Sequence, residues 1–162
     1  MNDAIELRRV LEYDPETGLF TNRVDRRGNA RAGMVAGSPD KGGYLQIFFA
    51  GKNHKAHRLA WLYMTGSWPS SNIDHINGVP WDNRWANLRD TPQSVNAQNL
   101  RRPRRDNKTG FLGVSPDRRR GGFIAQISAN GRCRYLGRFP TPELAHQAYV
   151  QAKRQLHAGC TI

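Results

Sequence analysis

The sequence predicts an α+β protein made of a mixed N-terminal part and a separate sheet-plus-helix module. Three observations predict it. Strand-forming runs and two segments of helical apolar spacing share the first 65 residues. An arginine-rich stretch around Pro103 then breaks the pattern. Beyond it, three strand-like runs lead into one amphipathic helix.

The elements follow in order. Ala4, Leu7, Val10 and Leu11 recur at helical spacing, so a short N-terminal helix is expected. Asp14-Pro15-Glu16-Thr17-Gly18 is a turn and Leu19-Phe20-Thr21 opens a strand. Gly42-Gly43 turns the chain into Tyr44–Phe49, rich in strand formers. His57–Met64 reads as a helix with Leu59, Ala60, Leu62 and Tyr63 on its apolar face, while His54 reads as ordinary surface. Ile73 and its successors form a short strand, Asn87-Leu88-Arg89 a second, and Thr91-Pro92 starts a helix. Residues 101–107, with like charges and a proline, form an extended linker. Phe111–Ser115, Phe123–Ala129 and Cys133–Phe139 are the later strands, with an Asn130-Gly131 hairpin turn between the last two. The final helix has Thr141 as cap, Pro142 in its first turn, an apolar stripe of Ala145, Ala148, Tyr149, Ala152 and Leu156, and Gly159 as its stop.

Charge narrows the function. The chain of 162 residues carries a net +12, and residues 100–162 alone hold 13 basic and 3 acidic residues, net +10. Such density is the electrostatic footprint of a polyphosphate partner. Cys133 and Cys160 are too few for a disulfide framework and too isolated for a zinc knot. No apolar run is long enough to span a bilayer, and no secretory signal pattern starts the chain, so a cytoplasmic location without membrane contact is expected.

Residues 73–99 carry the chemistry. Asp74 and His75 end a short strand, where neighbouring side chains leave on opposite faces and flank one site. Asn77-Gly78 and Asp82-Asn83 are turn residues, and Asn96 lies one turn into the following helix. Phosphodiester hydrolysis needs a base for water, neutralisation of phosphate charge and stabilisation of the leaving oxygen. A histidine supplies the first and a divalent metal the other two. Asp74 and the Asn96 amide are the oxygen donors that hard cations prefer.

The series Asp74-His75, Asn77-Gly78, Asp82-Asn83-Arg84, Asn87-Leu88-Arg89 and Asn96 resembles the HNH (His-Asn-His) motif of phage and intron-encoded homing endonucleases. The resemblance implies a ββα-metal core and a role for each residue. His75 is the general base, and Asn87 holds the loop and orients His75. Asp74 and Asn96 bind one divalent ion, Mg²⁺ or Mn²⁺. Asn99 competes with Asn96, and Asn96 departs from the histidine of the motif's name. Arg84 and Arg89 are placed on phosphate, Arg89 with a structural role as its alternative. His57 and Trp61, in Ala56-His57-Arg58-Leu59-Ala60-Trp61, recur in the same family, with His57 read as a buried, hydrogen-bonded brace of the nuclease core.

Residues 108–159 resemble the ethylene-response-factor (AP-two) DNA-binding domain in Gly113-Val114, Phe123–Ile127, Asn130-Gly131 and Tyr135–Phe139. That family lays a three-stranded sheet in the DNA major groove with a helix behind it. The expected DNA-contacting residues are Arg101, Arg102, Arg104 and Arg105 of the linker, Arg118, Arg119 and Arg120 of a turn, and Gln126, Ser128, Arg132, Arg134 and Tyr135 of the sheet. Ile124, Gln126 and Ser128 should face outward, and Phe123, Ala125 and Ile127 the helix. The domains are then 1–100 (HNH nuclease), 101–107 (basic linker) and 108–162 (DNA-binding), with double-stranded DNA as partner. The activity implied is metal-dependent cleavage by a monomer that nicks one strand in a phage or bacterial host cell. The alternatives are a DNA-binding regulator with a decayed nuclease site and an RNA-directed protein.

Overall fold

Helix α1 (Asp3–Val10) forms where the spacing predicts it, with Asp3 and Glu6 in its first turn and Arg8 and Arg9 in its last, the signs that complement the helix dipole. Leu11 does not continue it. It opens strand β1 (Leu11–Tyr13), in which Leu11 and Tyr13 are buried on either side of exposed Glu12. The period has changed from helical to two because β1 pairs with β2 (Phe20–Asn22), Tyr13 opposite Phe20. The computed structural model describes all residues except 1–2, 27, 29, 99, 101–102, 130, 158–159 and 161–162, and the side chains at 94, 96 and 97. The chain divides into two units, Met1–Gln93 and Ser94–Ile162.

In the first unit, β3 (Ser38–Pro39), β4 (Leu45–Phe49) and β5 (Lys52–Lys55) form a three-stranded antiparallel sheet in that order. Strand β5 runs directly into α2 (Ala56–Thr65), which buries Ala56, His57, Leu59, Ala60 and Leu62. Gly66 ends α2 by donating its N–H to the Leu62 carbonyl at 2.9 Å. The core gathers α1, α2, Phe20, Ile47, Phe49, Ile73 and Leu88. Ile73 and Leu88 thereby fasten strands β6 (Asn72–His75) and β7 (Leu88–Thr91) to it. These strands pair antiparallel, with Asp74 opposite Arg89 and His75 opposite Leu88. A 3₁₀ turn (Trp85–Asn87) precedes β7, and helix α3 (Gln93–Gln98) follows in sequence, starting at the last residue of this unit and continuing into the second.

The second unit is a sheet of β8 (Val114–Pro116), β9 (Phe123–Ala129) and β10 (Arg132–Phe139), ordered β10–β9–β8, with helix α4 (Pro142–Leu156). Thr141 caps α4, its hydroxyl oxygen accepting from the Leu144 N–H at 3.4 Å. Val114, Ala125 and Ala145 form the centre of a core completed by Phe111, Phe123, Leu136, Phe139 and Ala148. Lys153 shares the buried side of α4 with Ala145 and Tyr149, at 1% exposure. Its ammonium donates to the Leu100 carbonyl at 2.6 Å, as a buried cation must. Asn130 of the expected hairpin turn and Gly159, the expected helix stop, lie outside the described residues. Overall the protein is α+β with small antiparallel sheets, and no described helix is long and apolar enough to cross a membrane.

Candidate active site

The loop between β6 and β7 is shaped by side-chain amides. Asn77 Oδ1 accepts from the Val79 N–H at 2.9 Å, and Asn77 Nδ2 donates to Asp82 Oδ2 at 2.6 Å. Asn87 reaches across the loop. Its Oδ1 accepts from the Asn77 N–H at 2.9 Å, and its Nδ2 donates to the Asp82 carbonyl at 2.7 Å and to Asn77 Oδ1 at 3.0 Å. Arg84 closes over Asp82 with bonds of 2.8 and 2.6 Å. That guanidinium holds the Asp82 carboxyl down at about 2. Arg84 is thus paired within the loop.

His75 is buried at 5% exposure. Among the groups it meets is Asn83, which the sequence reads as turn chemistry. Asn83 Nδ2 donates to the Trp81 carbonyl at 3.2 Å, which turns Oδ1 toward His75 Nε2, also at 3.2 Å. Nε2 is therefore the protonated nitrogen, and Nδ1 carries the lone pair of a neutral ring. Burial lowers the His75 pKa from its ordinary value, with the Asn83 bond and the charges of Asp74 and Asp82 acting in the opposite direction. The ring is neutral at neutral pH, as a base requires.

The first unit braces Asn83 from behind. The Tyr13 hydroxyl donates to the Asn83 carbonyl at 2.6 Å, and burial raises the pKa of that phenol. Gly18, at φ 75°, lies so close that a Cβ there would stand 2.4 Å from Asn83 C and Arg84 N. The Trp85 N–H also donates to the Pro15 carbonyl at 2.9 Å. The Asp14–Gly18 turn is thus a buttress for the loop that holds His75.

His57 meets His75 edge to face, with centroids 4.9 Å apart and planes at 90°. Tyr44 touches both, at 5.7 Å from His57 and 5.9 Å from His75. His57 Nδ1 is buried without a hydrogen bond among the described residues, and desolvation depresses its pKa to about 3, helped by the neighbouring His75. His57 is buried as expected, but it meets His75 by ring contact, and its Nδ1 lacks the hydrogen bond expected of it among the described residues. His54, expected at the surface, is instead stacked on Trp68 at 4.9 Å, because β5 places it against the strap that follows α2.

Asp74 leaves β6 on the side opposite His75, at 7% exposure, and its Oδ2 accepts two bonds from Arg89 at 3.0 and 2.7 Å. Arg89 is therefore the counter-ion of Asp74. Among the described residues no three His, Cys, Asp or Glu side chains gather as a metal centre. Asp74 fits a hard cation as an anchored, largely buried oxygen donor. Asn96 belongs to α3, and its side chain, like Asn99, lies outside the described residues.

In the second unit, Ala125, Ile127 and Ala129 of β9 are buried while Gln126 and Ser128 are exposed. Cross-strand partners share a face, so Tyr135, opposite Gln126, and Cys133, opposite Ser128, stand on the outward side. Arg132 and Arg134 pair with Ala129 and Ile127 and leave the strand on the other side. A bulge between Tyr135 and Gly137 resets the alternation and brings Arg138, opposite Ile124, to the outward face. A strict alternation along the strand does not predict Arg138 as a contact. Arg118, Arg119 and Arg120 are exposed in the β8–β9 turn, as are Arg104 and Arg105 before it. Arg101 and Arg102 lie outside the described residues.

Residues 54–98 match the family model of the HNH endonucleases. The segment that folds as β5–α2–β6–β7–α3 is thus an HNH endonuclease domain, and the chain is a nuclease. Among solved structures the chain is similar to the HNH homing endonuclease I-HmuI, in work on DNA binding and cleavage by that enzyme. The likeness has 20% identity and a TM-score of 0.43, covering 92% of this chain and 88% of that one. No curated protein matches the chain.

Proposed function

We propose that the protein hydrolyses phosphodiester bonds of double-stranded DNA, with His75 as general base and a divalent cation, Mg²⁺ or Mn²⁺, bound through Asp74. The observation that carries this reading is a buried, neutral His75 whose Nε2–H is held by Asn83 beside a carboxylate anchored by Arg89. Nδ1 takes the proton of the attacking water, and Asn83 stabilises the imidazolium as it forms. Asn87 keeps the loop closed around that geometry. The cation, when bound, supplies charge neutralisation at phosphorus and at the leaving oxygen. Asn96 is the second ligand by the motif. Oxygen donors favour Mg²⁺ or Mn²⁺ over Zn²⁺.

The second unit acts as the grip. A three-stranded sheet on one helix, net +10 over residues 100–162, is the combination the AP-two resemblance calls for. Its outward face offers Gln126, Ser128, Tyr135 and Arg138 to base edges and phosphates, with Arg118–Arg120 and the linker arginines on the backbone. One HNH motif per chain acts on one scissile phosphate, so a monomer nicks. The experiment is a supercoiled plasmid with Mg²⁺ or Mn²⁺, wild type against His75→Ala. Open circles from wild type are expected, with a loss of about 10²–10⁴-fold in the variant. Linear product appearing first would overturn the nickase, and cleavage in chelator would overturn the metal.

A further inference from the structure

The protein has four tryptophans, and three are used in packing. Trp61 and Trp85 meet at 5.1 Å, and Trp68 stacks on His54 while its Nε1–H donates to Asp3 at 2.8 Å. Trp81 is different. At 68% it is the most exposed large apolar side chain among the described residues. Tryptophan is highly buried on average, and its indole carries 150–250 Å² of largely apolar area. Here the backbone presents it to solvent at a fixed place.

That place is the rim of the active site, by two independent routes. The Trp81 carbonyl accepts from both the backbone N–H and Nδ2 of Asn83, at 3.1 and 3.2 Å, and Asn83 holds His75. From the other side, the six-membered ring of the indole lies 3.9–4.0 Å from where a Cβ of Gly43 would stand, and the next residue, Tyr44, packs on His75. The carboxylate beside it, which would repel phosphate, is covered: Arg84 and Asn77 occupy Asp82.

We infer that Trp81 is a DNA-contacting residue, its indole packed against the nucleotide next to the phosphate that His75 serves. This rests on His75 as the base. Every nucleotide has an apolar ring face, so an aromatic contact positions the strand without reading its sequence. The hydrogen-bonded loop fixes the backbone that carries the ring, so binding has less of it to immobilise.

The test uses the full-length protein as wild type, Trp81→Phe and Trp81→Ala, with a duplex in EDTA for binding and with Mn²⁺ for cleavage. In wild type, acrylamide quenches an exposed tryptophan component that saturating duplex shields; Trp81→Phe lacks that component. Trp81→Ala, with an unchanged near-ultraviolet circular dichroism spectrum, loses about tenfold in kcat/KM, and Trp81→Phe recovers most of it. A component still quenchable under saturating duplex overturns the inference, as does an alanine variant that cleaves like wild type. Shielding by duplex in a wild type that never cleaves supports the Trp81 contact and removes the hydrolytic role of His75. Cleavage with Trp81 still exposed does the reverse.

Discussion

Gly18→Ala tests whether the N-terminal turn controls a catalytic group far from it in sequence. Two costs arise at this position. The first is conformational: φ is 75°, where an L side chain costs about 1–2 kcal/mol. The second is spatial. A Cβ would sit 2.4 Å from Asn83 C and Arg84 N, against 3.4 Å for ordinary contact, so that backbone must retreat by about 1 Å, a shift worth about 10²-fold in rate when it misplaces a catalytic group. The 3.2 Å bond from Asn83 to His75 would stretch beyond hydrogen-bond range. Overpacking adds roughly 1–3 kcal/mol to the conformational cost. The control is Gly51→Ala, at φ 84° with nothing within 4 Å of its Cβ, which incurs the conformational cost alone. Urea unfolding and plasmid nicking should show Gly51→Ala less stable by about 1–2 kcal/mol and fully active. Gly18→Ala should be less stable by roughly 2–5 kcal/mol and, under conditions where it is folded, about 10²-fold slower. A folded Gly18→Ala that nicks within about threefold of wild type would refute the buttress.

Asp74→Ala should raise the metal concentration needed for nicking and EDTA should stop the wild type, because Asp74 is the anchored oxygen donor; full activity in chelator would exclude a metal-bound Asp74. With the His75 pKa lowered by burial, the nicking rate should hold as pH falls through 6.5 and drop only below it; an inflection above 6.5 would contradict a desolvated base. His57 has a folded pKa of about 3 against 6.5 unfolded, so the unfolded chain takes the proton first. Stability should be complete above pH 6.5 and decline toward pH 3 by as much as roughly 5 kcal/mol. His57→Phe should flatten that decline, and an unchanged slope in acid unfolding would remove His57 as its source. A fragment ending at residue 100 discards the net +10 of the C-terminal stretch and should lose most of its salt sensitivity, at about 0.9 unit of log–log slope per phosphate contact; an unchanged slope would show that the grip lies elsewhere.

What was legible in the sequence was local. The β6–loop–β7–α3 order, the Thr141 cap and the alternation along β9 each depend on residues a few positions apart. Asn83 reads as a turn residue because its importance comes from Tyr13, seventy positions away, and from Gly18. Leu11 falls in step with α1 in the sequence because helical spacing does not reveal where pairing to β2 takes over. Lys153 sits within an apolar stripe, and only Leu100, fifty-three positions away, explains how it is tolerated there. Arg138 escaped because the bulge shifts the alternation by one, which a strict two-residue period assigns to the wrong face.

The amide network of the β6–β7 loop also bears on how the protein ages. Asparagine followed by glycine is the dipeptide most prone to lose its amide, because the glycine nitrogen can attack the asparagine side-chain carbonyl and close a succinimide ring. Here Asn77 is held through both side-chain atoms, by Asp82 and Val79, and the Gly78 N–H is engaged with the His75 carbonyl at 2.8 Å. Nucleophile and target are each pinned, so ring closure must wait for the loop to open. Deamidation would place a second carboxylate against Asp82 and push apart the loop that carries Asn83. Peptide mapping after storage should find Asn77 intact in the native protein and converted in the urea-unfolded chain. Equal conversion in both would mean that the loop opens freely. The bonds that shape the site for chemistry thus also set its shelf life.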